Sequence, residues 1–141
     1  MGRILAIDYG RRRCGIAVTD PLRIVATALA TVPTAELEKF LTSYLASETV
    51  DEIVVGQPSD MQGRPSESMR YITPALSRLR RLFPTMQFTM WDERFTSTLA
   101  HRTMIDAGYR RSARQDKAAI DRMAAVIILN SYLDSLSFKQ P

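Results

Sequence analysis

The stretch that decides the fold reads ILAIDYGRRRCGIAVTD and runs from Ile4 to Asp20. Its four consecutive apolar residues, Ile4–Ile7, predict a strand that is covered on both faces. Gly10 allows the chain to reverse, because glycine adopts backbone angles that other residues avoid. The run Cys14–Val18 then returns as a second strand. The resulting hairpin carries Asp8 at its mouth.

Asp8 is a carboxylate at the end of this apolar strand. A buried carboxylate without a partner costs several kcal/mol, so this position needs a physical reason. An acid held on a rigid strand is suited to bind a metal ion. The alternative is that Asp8 only caps the turn, and the hairpin alone leaves both interpretations open.

The length and composition predict one globular domain that spans residues 1–141. Hydrophobic residues make up 45% of the chain and charged residues 24%, which is ordinary for a soluble protein. No apolar run has the length needed to cross a membrane. A strand that begins at once leaves no room for a signal peptide. We therefore expect a cytoplasmic protein, either a monomer or a homodimer.

The single cysteine and the single histidine exclude several kinds of site. Cys14 has no second cysteine with which to form an internal disulfide, which fits a reducing compartment. It lies in a predicted strand and is expected to be a buried apolar residue rather than a nucleophile. His101 cannot complete a zinc-finger site with one cysteine, and a histidine-based catalytic triad has little support.

The chain is basic, with a formal net charge of +4 and a pI of about 9.6, and arginine carries the excess. Guanidinium groups match the geometry of phosphates, which favours a nucleic-acid partner. Two arginine clusters lie in predicted loops, where side chains can reach a ligand. They are Arg11, Arg12 and Arg13 in the first turn and Arg110, Arg111 and Arg114 in a later loop.

Strand and helix signals alternate along the rest of the chain and predict a mixed sheet with helices on its faces. The elements expected after the hairpin are a strand at 23–30, a helix at 34–47, a strand at 52–55, a helix at 66–83, a strand at 87–91, a helix from 96 or 97 to 108, and a helix at 116–136. Thr34 is the expected N-cap of the first helix. Pro74 is expected to kink the second helix or to begin a new one capped by Thr73.

The last predicted helix carries an acid, Asp121, in line with its apolar face by helical spacing. This apolar stripe consists of Ala124, Ala125, Ile128, Leu129 and Tyr132. The polar residues of the opposite face are Arg122, Asn130 and Asp134. An acid that faces inward needs a cation, a hydrogen-bond donor or a site. The small alanines beside it would let the helix approach the sheet. The alternative is an acid near the helix N-terminus that is stabilised by the macrodipole.

Three acids can converge where strands of such a sheet end, namely Asp8, Glu93 and Asp121. Clustered carboxylates repel one another unless a hard cation lies among them, and magnesium prefers such oxygen ligands. Two Mg²⁺ or Mn²⁺ ions there could activate a water and neutralise the leaving oxygen in phosphodiester cleavage. Asp92 stays an alternative to Glu93, because neighbours on a strand face opposite sides. The triplet 92–94 can also be a plain charged turn.

Four motifs in this order resemble the YqgF family, also called RuvX. They read DYGRRRCGIAVTD, VGQPSDMQG, WDERFTS and DRMAAVIILNSYL, and the resemblance covers essentially the whole chain. It implies a ribonuclease H-like α/β fold, a mixed five-stranded sheet with three antiparallel strands followed by parallel ones and flanked by helices. It also implies divalent-metal-dependent hydrolysis of phosphodiester bonds.

The resemblance assigns roles to individual residues. Asp8, Glu93 and Asp121 match the acids of the family and are expected to be catalytic metal ligands. Arg94 and Thr96 match positions that support the site or contact the nucleic-acid backbone. Together with the arginine clusters, the expected nucleic-acid contacts are Arg11, Arg12, Arg13, Arg94, Thr96, Arg110, Arg111 and Arg114. The second motif departs from the usual VGLPLNMDG at Gln57, Ser59, Asp60 and Gln62, which changes the surface of that loop.

The function implied by the resemblance is endonucleolytic processing of structured nucleic acid. The family's usual substrate is the 5′ end of pre-16S ribosomal RNA, which makes ribosomal particles expected partners. Holliday junction resolution would apply the same chemistry to branched DNA. A non-catalytic nucleic-acid-binding module is disfavoured, because acids beside phosphates weaken mere binding. An actin-like ATPase shares the strand, aspartate and glycine turn, but 141 residues scarcely form its two lobes.

Overall fold

The computed structural model describes residues 2–58, 67–92 and 117–139. Along the chain these residues form β1 (Arg3–Tyr9), β2 (Arg13–Thr19), β3 (Ala26–Pro33), a 3₁₀ helix (Thr34–Glu36), α1 (Leu37–Ser47), β4 (Val50–Gln57), α2 (Met69–Leu82), β5 (Gln87–Asp92) and α3 (Lys117–Lys139). No helix within these ranges is both long and apolar enough to cross a membrane.

The five strands form one sheet in the order β3-β2-β1-β4-β5. β2 runs antiparallel to both β1 and β3, whereas β4 runs parallel to both β1 and β5. With α1, α2 and α3 flanking the sheet, this arrangement confirms the predicted fold class. The carboxyl ends of β1, β4 and β5 consequently lie along one edge of the sheet.

The residues of β1 alternate between two cores, as the period of a strand requires. Leu5 and Ile7 join the core that includes buried residues of α1 and α2, and Ile4 and Ala6 join the core beneath α3. All four are fully buried, which confirms a strand covered on both faces. The same alternation directs Asp8 toward α3.

The third strand begins at Ala26, not at residue 23 as predicted. The cause is a loop organised by Asp20, whose carboxylate accepts backbone N–H hydrogen bonds of 2.7–3.2 Å from three later residues of that loop. Arg23 lies within this loop with a φ of 61°, outside the range of an extended strand. Local hydrogen bonding therefore overrides the strand propensity of the sequence.

One prediction about a helix end is wrong, and one of the two alternatives for Pro74 is excluded. Thr34 does not cap the first helix, because its Oγ1 donates a hydrogen bond of 2.7 Å to the carbonyl of Gly10 and a 3₁₀ helix begins there instead. Pro74 does not begin a new helix, since α2 continues through it. The predicted helix from 96 or 97 to 108 lies outside the described residues.

The far end of α3 is joined to the sheet by a buried polar cluster. Tyr132 Oη donates a hydrogen bond of 2.5 Å to Glu52, which is only 7% exposed, and Thr89 Oγ1 donates another. Burial, and next the carboxylate of Glu52, raises the pKa of Tyr132 to about 12. Tyr132 lies eleven residues after Asp121, which is about three helical turns. The two side chains are therefore on the same face of α3, and the hydrogen bond that holds Tyr132 also orients Asp121.

We expect Tyr132→Phe to destabilise the fold by about 1–3 kcal/mol, because it removes a donor from a buried carboxylate. Urea denaturation at pH 7 measures the change in the free energy of unfolding. The matched control is Tyr44→Phe, where the phenol ring stacks on Phe40 and no comparable buried acid loses its donor. Its expected cost is below about 0.5 kcal/mol. Equal losses in the two variants would contradict the role of the Tyr132 hydroxyl.

Candidate active site

Asp8 is the second-last residue of β1, and its backbone pairs with Gly15 of β2. Burial first, and next the negative charge of Asp121, raises the pKa of Asp8 from 3.8 to about 6. Gly15 in turn lies against the backbone of Asp121, so α3 brings Asp121 to the strand position beside Asp8, although the two acids are 113 positions apart in the sequence. The roles of both acids as metal ligands stay predictions.

Gly15 brings α3 to this position. A Cβ added at Gly15 would overlap the backbone carbonyl of Asp121 and lie 3.0 Å from the nitrogen of Arg122, so only glycine permits this approach. The helix therefore crosses β2 directly beside the strand position that pairs with Asp8. The sequence does contain the signal, because a glycine inside a strand often marks a close backbone approach. The prediction relied on the alanines of α3 instead, of which Ala125 is fully buried.

Arg13 forms an ion pair with Asp121 through Nε and Oδ2. Its guanidinium contacts the Asp121 carboxylate, and its expected contact with nucleic acid stays a prediction. The Asp121 side chain is 18% exposed, so solvent screens the pair less than a surface pair. A positive charge thus already compensates one of the two interacting acids. The Asp121 carboxylate therefore binds a cationic side chain in this structure.

A cleft of about 290 Å³ opens beside this ion pair. Its lining consists of Gly10, Arg11, Arg12, Arg13 and Asp121. Arg11 and Arg12 are exposed, and Arg11 also lies over the ring of Tyr71, with 5.3 Å from Cζ to the ring centroid. The lining of the cleft therefore combines one carboxylate, that of Asp121, with guanidinium groups that can bind phosphates.

The remaining predicted site residues cannot be placed. They lie outside the described residues and are Glu93, Arg94, Thr96, Arg110, Arg111 and Arg114. Asp92 is described as the last residue of β5, which is joined to β1 through β4. Within residues 2–58, 67–92 and 117–139, no group of three or more histidines, cysteines, aspartates or glutamates could hold a metal ion. The assignment of Glu93 as a ligand stays a prediction.

The donor set that is described fits a hard divalent cation. Asp8 and Asp121 offer only carboxylate oxygens, the ligands that such cations prefer. Burial and the negative charge of Asp121 both disfavour the ionised form of Asp8. A cation bound there would offset both effects.

We expect Gly15→Ala to push α3 away from the sheet and to destabilise the fold by about 1–3 kcal/mol, the usual cost of overpacking. As Asp121 and the helix withdraw, the pKa of Asp8 should fall toward its ordinary value. Urea denaturation gives the stability, and an NMR titration of the Asp8 carboxyl gives the pKa. An unchanged Asp8 titration in the variant would contradict the positioning role of Gly15.

We expect Asp8→Asn to stabilise the metal-free protein above pH 6. The folded state binds the Asp8 proton more tightly than the unfolded chain, so this group's contribution is present at acid pH and is lost as pH rises from about 4 to about 6. The difference amounts to at most about 3 kcal/mol, at 1.36 kcal/mol for each pKa unit. Thermal unfolding in EDTA between pH 4 and pH 8 measures it. Asp134→Asn, an exposed acid on α3, serves as the control. Parallel pH profiles for wild type and Asp8→Asn would contradict the raised pKa.

Comparison with known proteins identifies relatives along the whole length. The model of the RuvX family, described as Holliday junction resolvase, matches residues 2–135. A protein of Porphyromonas gingivalis is 53% identical over 135 residues, which cover 96% of this chain and 98% of the relative. A protein of Parabacteroides distasonis is 48% identical over 139 residues, 99% of both chains. Both carry the name "Putative pre-16S rRNA nuclease". These matches confirm the resemblance, and the chain belongs to the RuvX family.

Proposed function

We propose that the protein is a divalent-metal-dependent endonuclease that hydrolyses phosphodiester bonds at the 5′ end of pre-16S ribosomal RNA. The observation that carries the proposal is the meeting of Asp8 and Asp121 at the carboxyl edge of the sheet, beside an arginine-lined cleft. Membership of the RuvX family supports nuclease chemistry, and the names of the relatives support the RNA substrate. The site of action would be the cytoplasm, on ribosomal particles.

The charged residues of the cleft, together with Asp8 and Glu93, have separate roles in this proposal. Asp8 and Asp121, with Glu93, would hold Mg²⁺ or Mn²⁺, which when bound supplies an activated water and neutralises the leaving oxygen. Asp8 must lose its proton to serve as a ligand, and its pKa of about 6 makes it ionised at neutral pH. Arg13 orients the carboxylate of Asp121. Arg11 and Arg12 bind the phosphates of the strand.

Resolution of four-way DNA junctions is the second candidate function, because the matching family model carries that description. The chemistry at Asp8 and Asp121 would be the same. The two substrates differ in symmetry, since paired cuts across a junction require two active sites in a homodimer. A homodimer in solution would therefore favour the junction, and a monomer would favour the RNA.

Binding without catalysis and nucleotide hydrolysis fit the geometry less well. A module that only bound phosphates would gain nothing from a half-buried Asp8 whose ionisation is unfavourable. An actin-like ATPase binds its nucleotide between two lobes, whereas the described residues form a single sheet with its helices. Negligible ATP binding in calorimetry is the expected result.

The decisive experiment compares cleavage of a pre-16S RNA fragment and a four-way DNA junction in Mg²⁺, in Mn²⁺ and in EDTA. We expect cleavage only with metal, and a loss of more than about 100-fold for Asp8→Asn, Asp121→Asn and Glu93→Gln, because metal ligation supplies several kcal/mol of transition-state stabilisation. Asp134→Asn is the matched control on α3 and should cleave like wild type. Cleavage that survives Asp8→Asn would refute the metal site, and no cleavage of either substrate by wild type would favour a binding module.

A further inference from the structure

A second cavity lies on the opposite face of the sheet from Asp8. Its volume is about 270 Å³, close to the lower limit of roughly 300 Å³ for small-molecule pockets, which leaves room for one flat ring system. The residues that shape it are Tyr9, Thr34, Leu37, Pro74, Arg78 and Leu79. Tyr9 follows Asp8 in β1, so strand alternation points the two side chains to opposite faces of the same edge.

The walls of this cavity are apolar and its rim is polar. Leu37 and Leu79 are buried and form the floor with the half-buried Tyr9. At the rim, Glu38 of α1 accepts hydrogen bonds from Arg78 of α2. A nucleobase has the same combination of apolar faces and polar edges. Carboxylates accept from its amino groups, and guanidinium groups donate to its ring nitrogens and carbonyls.

Aromatic rings connect the cavity to the cleft of the active site. Arg11 lines the cleft and lies over Tyr71 at 5.3 Å. The ring of Tyr71 lies 6.1 Å from that of Tyr9, which lines the cavity. Arginine planes and tyrosine rings are the surfaces on which unstacked bases of single strands pack. The contacts of Tyr71 with Arg11 and with Tyr9 therefore join a residue of the cleft to a residue of the cavity.

We propose that this cavity binds one unpaired nucleobase of the strand whose phosphates lie in the cleft. The inference rests on the proposed function, since that function places a nucleic-acid strand beside Asp8 and Arg11. It goes further by naming the substrate class, because a base can enter the cavity only where it is free of pairing and stacking. The protein would thus act on single-stranded segments or strand ends rather than on uninterrupted duplex.

The test fills the cavity without touching the cleft. Ala75 lines the cavity from α2, and Ala75→Phe would occupy the space of the base, whereas Ser77→Phe puts the same ring on an exposed position of the same helix. Binding of a short single-stranded RNA and of the fully paired duplex of the same sequence is measured by fluorescence anisotropy in EDTA. We expect Ala75→Phe to weaken single-strand binding about tenfold, by loss of base stacking, and to change duplex binding less than twofold. Ser77→Phe should change neither.

Unchanged single-strand affinity, equal losses for both RNAs, or no saturable binding of the single strand by wild type would overturn the proposal. If Ala75→Phe fails to fold, Arg78→Gln replaces it. Arg78 is exposed, so its loss spares the fold, and the expected single-strand loss is about threefold with no effect on the duplex. Because no metal is present, the result is independent of cleavage. If wild type cleaves RNA but Ala75→Phe does not selectively weaken single-strand binding, only the base-binding cavity is refuted. If Ala75→Phe selectively weakens single-strand binding but wild type cleaves neither substrate, only the proposed nuclease function is refuted.

Discussion

The contact between the backbone of α3 and Gly15 of β2 is the constraint on which the rest of the site depends. Only glycine leaves room for the carbonyl of Asp121, and this approach brings that acid beside Asp8. At the other end of the helix, Tyr132 and Glu52 hold the same face against the sheet. The site is thus positioned by two contacts about three helical turns apart, each between a helix residue and a buried strand.

This arrangement costs free energy. Asp8 is half-buried beside a second acid, and its raised pKa records both effects. Arg13 offsets part of the repulsion through its ion pair with Asp121. The fully buried apolar residues of β1 supply stability that offsets this local cost. A locally unfavourable arrangement of charges inside a well-packed core is typical of functional sites.

The strand edge that carries Asp8 presents different chemistry on its two faces. The α3 side has acids and arginines, and the side of α1 and α2 has tyrosine rings over a small apolar cavity. Arg11 contributes to both, since it lines the cleft and lies over Tyr71. The proposed phosphate-binding and base-binding surfaces therefore lie on opposite faces of the sheet, beside the consecutive residues Asp8 and Tyr9.

Local patterns in the sequence determined the hairpin, the acid at the end of β1, the inward face of α3 and the mixed sheet, because hydrophobic periodicity is a local property. They did not reveal the ion pair of Arg13 with Asp121, whose partners are 108 residues apart. A glycine inside a strand indicates a close backbone approach, but the pattern does not say that Asp121 is the residue that approaches Gly15. Glu52 belongs to a buried strand, and its partners Thr89 and Tyr132 belong to distant elements. The tertiary structure decided these features, since which charges meet depends on how helices pack on the sheet and not on spacing along the chain.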